Sequence, residues 1–427
     1  MRSDCNFVEI LRSELIPALG CTEPIAIAYA SAKARAVLGE FPDRLELYCS
    51  GNIVKNVKGV TVPNSGGLKG IDVAGVLGVV CGDEKRELEV LETVTPEGIQ
   101  RAKQLIKTGF VRCVLQEDVE NLYVRAVVFA GQHSAEVTIE KKHTFITNIQ
   151  KDGRTLFERD ITQTTDRNVD KSSLNVKDIL AFADQVPIGQ VKSTLDRQIE
   201  MNSRIAQEGL EKAYGAQVGR TLLEVEGNAV HVRARAKAAA GSDARMGGCS
   251  LPVVINSGSG NQGMTLSLPI IEYAHEMKLN QDQLYRALIV SNLLSVHIKR
   301  YIGSLSAFCG AVSAACAAGA ALTYMCGGTY EQVSATIINT LGNTTGIVCD
   351  GAKASCAAKI SCALEAAIMA HHMSMQGKVF QADTGIIKRD IEQTIQSIGH
   401  VGRVGMKNTD VEILNIMLDN IPLTNCG

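Results

Sequence analysis

The chain contains no tryptophan, and only 4% of its 427 residues are aromatic. Its formal net charge at pH 7 is −2, and the sequence has no polybasic run. A nucleic-acid surface needs clustered lysine and arginine, so these shortages exclude nucleic acid as a partner. At 427 residues the chain is still long enough for several domains with a substantial core.

Local metal motifs are also missing, although the chain has 13 cysteines. Cys309 and Cys316 are seven residues apart, as are Cys349 and Cys356, so neither pair has C-x-x-C spacing. The odd count fits a disulfide framework poorly, and the first ten residues lack the pattern of a secretion signal. We therefore expect a reducing cytoplasm, where thiols stay free or bind metal. Spacing rules do not detect a site assembled from distant cysteines.

Residues 303–326 lack charged side chains and consist mostly of alanine, glycine, serine and cysteine. The run is long enough to span a bilayer, but it has too little leucine and isoleucine, so no membrane segment is expected. Small residues let neighbouring backbones approach closely. Cys309 and Cys349 stand beside glycine or polar turn residues, where a thiolate can reach a ligand. The alternative is that each fills space as a small hydrophobe.

Another cysteine, Cys21, lies between two helical patterns at residues 6–19 and 25–38. Prolines on both sides interrupt the helix, because proline lacks an amide donor and clashes with the preceding turn. A helix that begins directly after Cys21, with Thr22 as its cap and Pro24 in its first turn, would lower the pKa of the thiol. The alternative is an ordinary loop cysteine.

The hydrophobic patterns predict an α+β fold. The pattern is that of strands at 45–50, 111–117, 122–130, 134–140 and near 144–149, with helices at 70–80 and 96–107 between them. A polar linker is predicted at 151–171, and the rest is helical, ending in a helix at 408–419 with a Thr409–Glu412 capping box. The predicted domains are a first helical piece at 1–43, an inserted α+β domain at 44–155, and a helical domain at 172–427.

Three segments rich in glycine and asparagine offer donors for a small anion such as a carboxylate. Two are predicted turns, at 51–56 and 62–67, and the third is a backbone nest at a helix start, residues 256–263. Their candidate binding residues are Asn52, Asn64, Ser65, Asn256, Ser257, Asn261 and Gln262. The two turns are alternatively ordinary hairpin turns.

Residues 258–263 also match G-x-G-x-x-G. A dinucleotide site needs a second parallel strand and an acidic residue about twenty positions on. Here Pro269 and a helical pattern follow, so the nest is the better interpretation.

Lys299 directly precedes the uncharged run. If its side chain is drawn into the interior, its pKa falls and it can act as a base. The alternative is a surface lysine that extends its ammonium into water.

Taken together, six motifs resemble the L-cysteine desulfidase family, which is related to the α chain of bacterial iron-sulfur L-serine dehydratases. They are residues 19–24 (LGCTEP), 50–56 (SGNIVKN), 62–66 (VPNSG), 256–263 (NSGSGNQG), 305–310 (LSAFCG) and 349–353 (CDGAK). The motifs occur in the expected order, and the resemblance covers nearly the whole chain.

The resemblance implies an oxygen-sensitive [4Fe-4S] cluster held by Cys21, Cys309 and Cys349, with the fourth iron open for substrate. The dehydratases carry a further cysteine shortly after the position of Cys349. Cys356 stands nearby at a different spacing, which leaves its role open. The dehydratases' Ser-His-Thr motif has no counterpart here, which argues against serine as the main substrate. Pyridoxal phosphate is not implied.

The implied activity is β-elimination of L-cysteine to pyruvate, ammonia and sulfide in the cytoplasm. We predict Lys299 as the base that removes the Cα proton, with Lys55 as the second candidate. The expected partner is a small amino-acid substrate, and the expected assembly is a homodimer. Alternatives are an L-serine dehydratase or lyase for another β-substituted amino acid, an iron-sulfur sensor without turnover, and a nicotinamide dehydrogenase built on residues 258–263.

Overall fold

The computed structural model describes residues 2–159, 169–303 and 305–419, where helices combine with two β-sheets and confirm the α+β class. The helices are α1 (Arg2–Glu14), α2 (Thr22–Leu38), α3 (Gly51–Val57), α4 (Ile71–Cys81), α5 (Pro96–Lys107), α6 (Val176–Gln185), α7 (Lys192–Glu211), α8 (Val218–Glu226), α9 (Val230–Met246), α10 (Gly260–Glu276), α11 (Gln281–Ile302), α12 (Gly310–Met325), α13 (Tyr330–Thr344), α14 (Ser355–Met375), α15 (Ile391–His400) and α16 (Lys407–Met417). The strands are β1 (Pro17–Leu19), β2 (Arg44–Cys49), β3 (Val111–Leu115), β4 (Tyr123–Ala130), β5 (His133–Glu140), β6 (Ile146–Lys151), β7 (Arg154–Glu158) and β8 (Pro252–Val254).

The larger sheet has the order β3-β2-β4-β5-β6-β7. β2 runs parallel to β3, and the other pairs are antiparallel. Alternate residues of β2, Leu45, Leu47 and Cys49, are buried, because successive side chains of a strand point to opposite faces. Their apolar face packs with residues of α2 and α4 in one core.

The smaller sheet joins two distant parts of the chain. β1 pairs with β8 in antiparallel register, Pro17 opposite Val254 and Leu19 opposite Pro252. Because β1 leads into α2 and β8 leads into the nest before α10, this pairing brings the start of both helices together. β8 has no parallel partner in the described part of the chain, so the dinucleotide-binding alternative lacks its sheet.

The helical part surrounds a second core, to which α1, α6, α11, α12, α13 and α15 contribute. Its small residues allow the close approach that the sequence predicts. A Cβ atom on Gly319 of α12 would lie 2.8 Å from the carbonyl oxygen of Ala367 in α14. Within the described ranges, no helix is long and apolar enough to cross a membrane.

Most predicted elements are confirmed, including the strands β2 to β6 and the helices α4 and α5. Three details were wrong. Residues 51–57 form the helix α3, capped by the Ser50 side chain, and are not a turn. The predicted linker contains β7, which pairs with β6, while residues 160–168 lie outside the described part. α16 follows a π-helical turn at Val401–Gly405 and has no side-chain cap.

The predicted domain boundaries stay a prediction. α1 contributes to the helical core, whereas α2 packs in the same core as the large sheet. The first 43 residues are therefore shared between both parts of the molecule.

Candidate active site

A cavity of about 740 Å³ lies where these two parts meet. The thiols predicted as cluster ligands, Cys21, Cys309 and Cys349, all line it. Cys356 lines the same cavity. The structure thus brings together cysteines that are hundreds of residues apart in the sequence.

Helix N-termini present two of these thiols. Cys21 is the N-cap residue of α2 and Cys309 that of α12, each with an extended backbone conformation. The cap of α2 is thus Cys21 and not Thr22, as predicted. Ser259, the N-cap residue of α10, lines the cavity as well. Each N-terminus carries a partial positive charge and free amide groups, so the three together favour an anionic group.

Backbone pairing fixes Cys309 beside Cys349. The amide of Cys309 donates to the carbonyl oxygen of Ile347 at 3.1 Å, and the amide of Cys349 donates to that of Ala307 at 2.6 Å. Phe308 and Val348 form an antiparallel bridge between them. The two thiols therefore stand side by side on paired backbone segments in the cavity wall.

The charges around the thiols differ from one cysteine to the next. The pKa of Cys349 is lowered because the Cys309 thiol donates a hydrogen bond to it and because Lys55 and Lys299 lie nearby. The pKa of Cys309 is raised by that hydrogen bond and by burial. Burial and the neighbouring Glu23 carboxylate raise the pKa of Cys21. The predicted lowering at Cys21 was wrong, because these two effects outweigh the helix N-terminus.

The donor set fits an iron-sulfur cluster. Soft thiolates are the usual ligands of such clusters, and the helix N-termini and buried lysines offset their negative charge. Among the residues described, no group of three or more His, Cys, Asp or Glu is placed to hold a metal ion. A cluster binds each thiolate to a different iron, so its ligands stand farther apart than those of one ion.

The two predicted catalytic lysines occupy different positions. Lys299 lines the cavity, and burial lowers its pKa to about 8, against the opposing effect of Cys349 and Cys309. Lys55 does not line it. Its ammonium donates to the carbonyl oxygen of Cys349 at 3.3 Å and forms an ion pair with Asp410. The structure thus gives Lys55 a supporting position behind the thiols.

Of the seven predicted anion-binding residues, Ser257, Asn261 and Gln262 line the cavity. The Gln262 Oε1 atom is buried without a partner. Gly310 makes room for this side chain, since a Cβ atom there would lie 2.7 Å from Gln262 Cδ.

The other four lie away from the cavity. The side chains of three donate to backbone carbonyl groups: Asn64 to Leu91, Ser65 to Leu68 and Asn256 to Asn292. Asn52 is on α3, the segment wrongly predicted as a turn. None of these four lines the cavity, because hydrogen bonds to backbone carbonyl groups hold three of the side chains and α3 holds Asn52.

Three site residues were missed by sequence reasoning: Glu23, His143 and Arg245. Glu23 accepts from the Cys21 thiol at 3.0 Å and from Asn56 Nδ2 at 3.1 Å. His143, in the β5–β6 connection, lines the cavity, and its Nε2 is buried without a partner. Glu23 stands inside the LGCTEP motif and was therefore detectable. His143 lies in a polar hairpin and Arg245 on a helix of small residues, and neither sequence pattern indicates a site.

A comparison with known protein families gives a match over most of the chain. The model of the serine dehydratase α chain matches residues 85–415. The chain belongs to the serine dehydratase α chain family.

Close relatives cover the chain almost completely. A UPF0597 protein of Lachnoclostridium phytofermentans is 52% identical over 414 residues, which is 97% of this chain and 99% of the relative. UPF0597 proteins of Desulfitobacterium hafniense and Finegoldia magna are 48% and 46% identical, each over 97% of this chain and over 96% and 99% of the relative. Family membership indicates a serine dehydratase-like lyase with an iron-sulfur cofactor.

Proposed function

We propose that this member of the serine dehydratase α chain family is an L-cysteine desulfidase, which converts L-cysteine to pyruvate, ammonia and sulfide. The observation that carries the proposal is the convergence of Cys21, Cys309 and Cys349 on one cavity with three helix N-termini. These thiolates would hold a [4Fe-4S] cluster, which when bound supplies a Lewis acid for the departing sulfur.

Lys299 is our candidate for the group that takes the proton from the substrate Cα. It faces the cavity, it is buried, and its lowered pKa leaves part of the amine neutral near pH 7 to 8. In the described part of the chain, its side chain makes no hydrogen bond or ion pair that would hold it away from substrate.

The start of α10 stabilises the charge that develops on the carboxylate side of the substrate. The N-cap residue Ser259 and the side chains of Asn261 and Gln262 line the same cavity. Fixed donors in a buried site stabilise such charge without reorganisation.

L-Serine dehydration is the second candidate, favoured by the description of the matching family. The missing Ser-His-Thr motif argues for cysteine. Anaerobically purified protein offered L-cysteine or L-serine should release sulfide and pyruvate in equal amounts from the first and much less pyruvate from the second. Faster pyruvate formation from L-serine than from L-cysteine would show that the protein is a dehydratase and not a desulfidase.

The cluster ligands are tested by Cys309→Ser. The variant should lose both the visible absorbance of the cluster and the lyase activity, and its iron content should fall. Cys326→Ser is the control, because Cys326 ends the same helix outside the cavity. Normal iron content in Cys309→Ser would remove Cys309 from the ligand set.

A further inference from the structure

Arg245 is a buried cation in the cavity wall. The residue is near the C-terminal end of α9, is 2% exposed and lines the cavity. Its Nη1 donates to Asn261 Oδ1 at 3.1 Å, and its Nε is buried with no partner. No salt bridge to Arg245 occurs in the described ranges. A buried charge of this kind is costly unless an anion compensates it.

Another arginine of the same helix shows the usual arrangement. Arg235 is 3% exposed, and its guanidinium forms ion pairs with Glu226 and Glu365. Burial of an arginine on α9 therefore does not by itself leave the guanidinium without a carboxylate.

The start of α10 is shaped to receive the Arg245 guanidinium. A Cβ atom on Gly260 would lie 2.5 Å from Arg245 Nε and 3.0 Å from Cζ. The guanidinium thus lies against a helix N-terminus, and two positive groups are held together with only an amide oxygen between them. Both favour the same kind of ligand, a small anion.

The cavity also holds a fixed negative group. Glu23 lines it, and its carboxylate accepts from the Cys21 thiol at 3.0 Å and from Asn56 Nδ2 at 3.1 Å. Glu23 and Arg245 form no ion pair within 4.0 Å, so in the described part of the chain the Arg245 guanidinium remains available to an anion. One cation and one anion in the same cavity suit a zwitterion.

We propose that Arg245 binds the α-carboxylate of the substrate, with Asn261 holding the guanidinium in position. This inference rests on the proposed function, and it adds the residue that selects α-amino acids over amines and amides. The guanidinium presents the planar fork that matches a carboxylate.

The test compares L-cysteine with L-cysteinamide, in which a neutral amide replaces the carboxylate. In Arg245→Gln, kcat/KM for L-cysteine should fall about 100-fold, mainly through KM, because a charge-assisted pair is lost. For L-cysteinamide the change should stay within about threefold. Arg245→Lys keeps the charge but not the planar fork, so its kcat/KM for L-cysteine should lie between those of the wild type and Arg245→Gln. The cluster absorbance should be unchanged in both variants.

Arg235→Gln is the control, since it removes a buried arginine of the same helix outside the cavity. Its acid-to-amide preference should equal that of the wild type. The proposal would be overturned if both Arg245 variants lost equal factors of kcat/KM for L-cysteine and L-cysteinamide, or if kcat/KM for L-cysteine did not fall.

Calorimetry separates this inference from the function. Pyruvate should bind the wild type more tightly than Arg245→Gln. Arg245-dependent pyruvate binding in a protein that releases no sulfide would reject the desulfidase and keep the carboxylate site. If Arg245→Gln released sulfide and bound pyruvate as the wild type does, the desulfidase would stand and the carboxylate site would be rejected.

Discussion

Lys55 and Lys299 are both almost completely buried, at 2% and 6% exposure, but their surroundings assign them different tasks. Lys299 faces the cavity, whereas Lys55 connects Cys349 to α16 through Asp410. Asp410 also accepts from the Ala307 amide at 2.8 Å. Lys55 and Asp410 therefore hold the paired backbone that carries Cys309 and Cys349, while the Lys299 amine is available for chemistry.

We predict that Lys299→Met lowers kcat at least about 100-fold, because general-base catalysis contributes this much or more. Iron content and visible absorbance should remain as in the wild type, since Lys299 ligates nothing. The measurement is sulfide release under anaerobic conditions, with iron analysis on the same sample. A wild-type kcat in this variant would show that another residue accepts the proton. His143 would then be the next cavity residue to replace.

Lys55→Met is expected to act on stability instead. It leaves Asp410 partly buried without its cation, at a cost of about 3 kcal/mol, and it removes the hydrogen bond to the Cys349 carbonyl oxygen. Urea unfolding should show the loss, and iron content should fall with it. The double variant Lys55→Met/Asp410→Leu should recover part of the stability, because the uncompensated carboxylate is gone. A double variant less stable than Lys55→Met would contradict this explanation.

At the level of elements, the site depends on how closely α10 approaches β8. A Cβ atom on Gly263 of α10 would lie 2.1 Å from the carbonyl oxygen of Val254 and 3.1 Å from the carbonyl carbon of Ile255. Both neighbours are backbone atoms and cannot move aside cheaply. Glycine at this position lets the N-terminus of α10 reach the cavity beside Cys21.

Gly263→Ala should therefore destabilise the protein by about 2 kcal/mol, since overpacking outweighs the better helix propensity of alanine. It should also raise KM, because α10 shifts away from the cavity. Gly189→Ala is the matched control: nothing lies within 4 Å of a Cβ atom there, so its effect on the urea midpoint should be small. Equal stability of the two variants would show that α10 and β8 can separate without cost.

Sequence patterns predicted elements better than they predicted the site. Alternation and capping residues located β2 to β6, α4 and α5, because these signals act within a few residues. The helix α3 was missed, since glycine and asparagine in residues 51–56 are also typical of turns. Arg245 was missed because its partners, Asn261 and Gly260, belong to another helix. The cysteines were identified by family motifs, since only the tertiary fold brings Cys21 to Cys309.

At the scale of the whole molecule, the cavity is built by both parts of the fold. The hairpin between β5 and β6 contributes His143, and the helical part contributes Cys309 and Cys349. Conditions that loosen the packing of the helices should therefore affect the site as well as the fold. Acid is one such condition, because the interface of α12, α13 and α14 contains a buried histidine.

His371 of α14 is 5% exposed, and its Nδ1 contacts the Thr323 hydroxyl at 2.9 Å. Thr336 and Ser374 continue this group of hydroxyls, which contains no carboxylate. Burial, with the charge of His372 as a smaller cause, lowers the pKa of His371 to about 4 from an ordinary value of 6.5. Between these two values the unfolded chain binds more protons than the folded one.

Stability should consequently fall as the pH drops from 6.5 towards 4, and this one residue accounts for up to about 3 kcal/mol of the loss. His371→Asn keeps an acceptor near the Nδ1 position but does not titrate, so its free energy of unfolding should change less over that window. His372→Asn, which alters the exposed neighbour, should retain most of the wild-type slope. Urea unfolding at several pH values measures all three proteins, and parallel curves for the wild type and His371→Asn would place the acid sensitivity elsewhere.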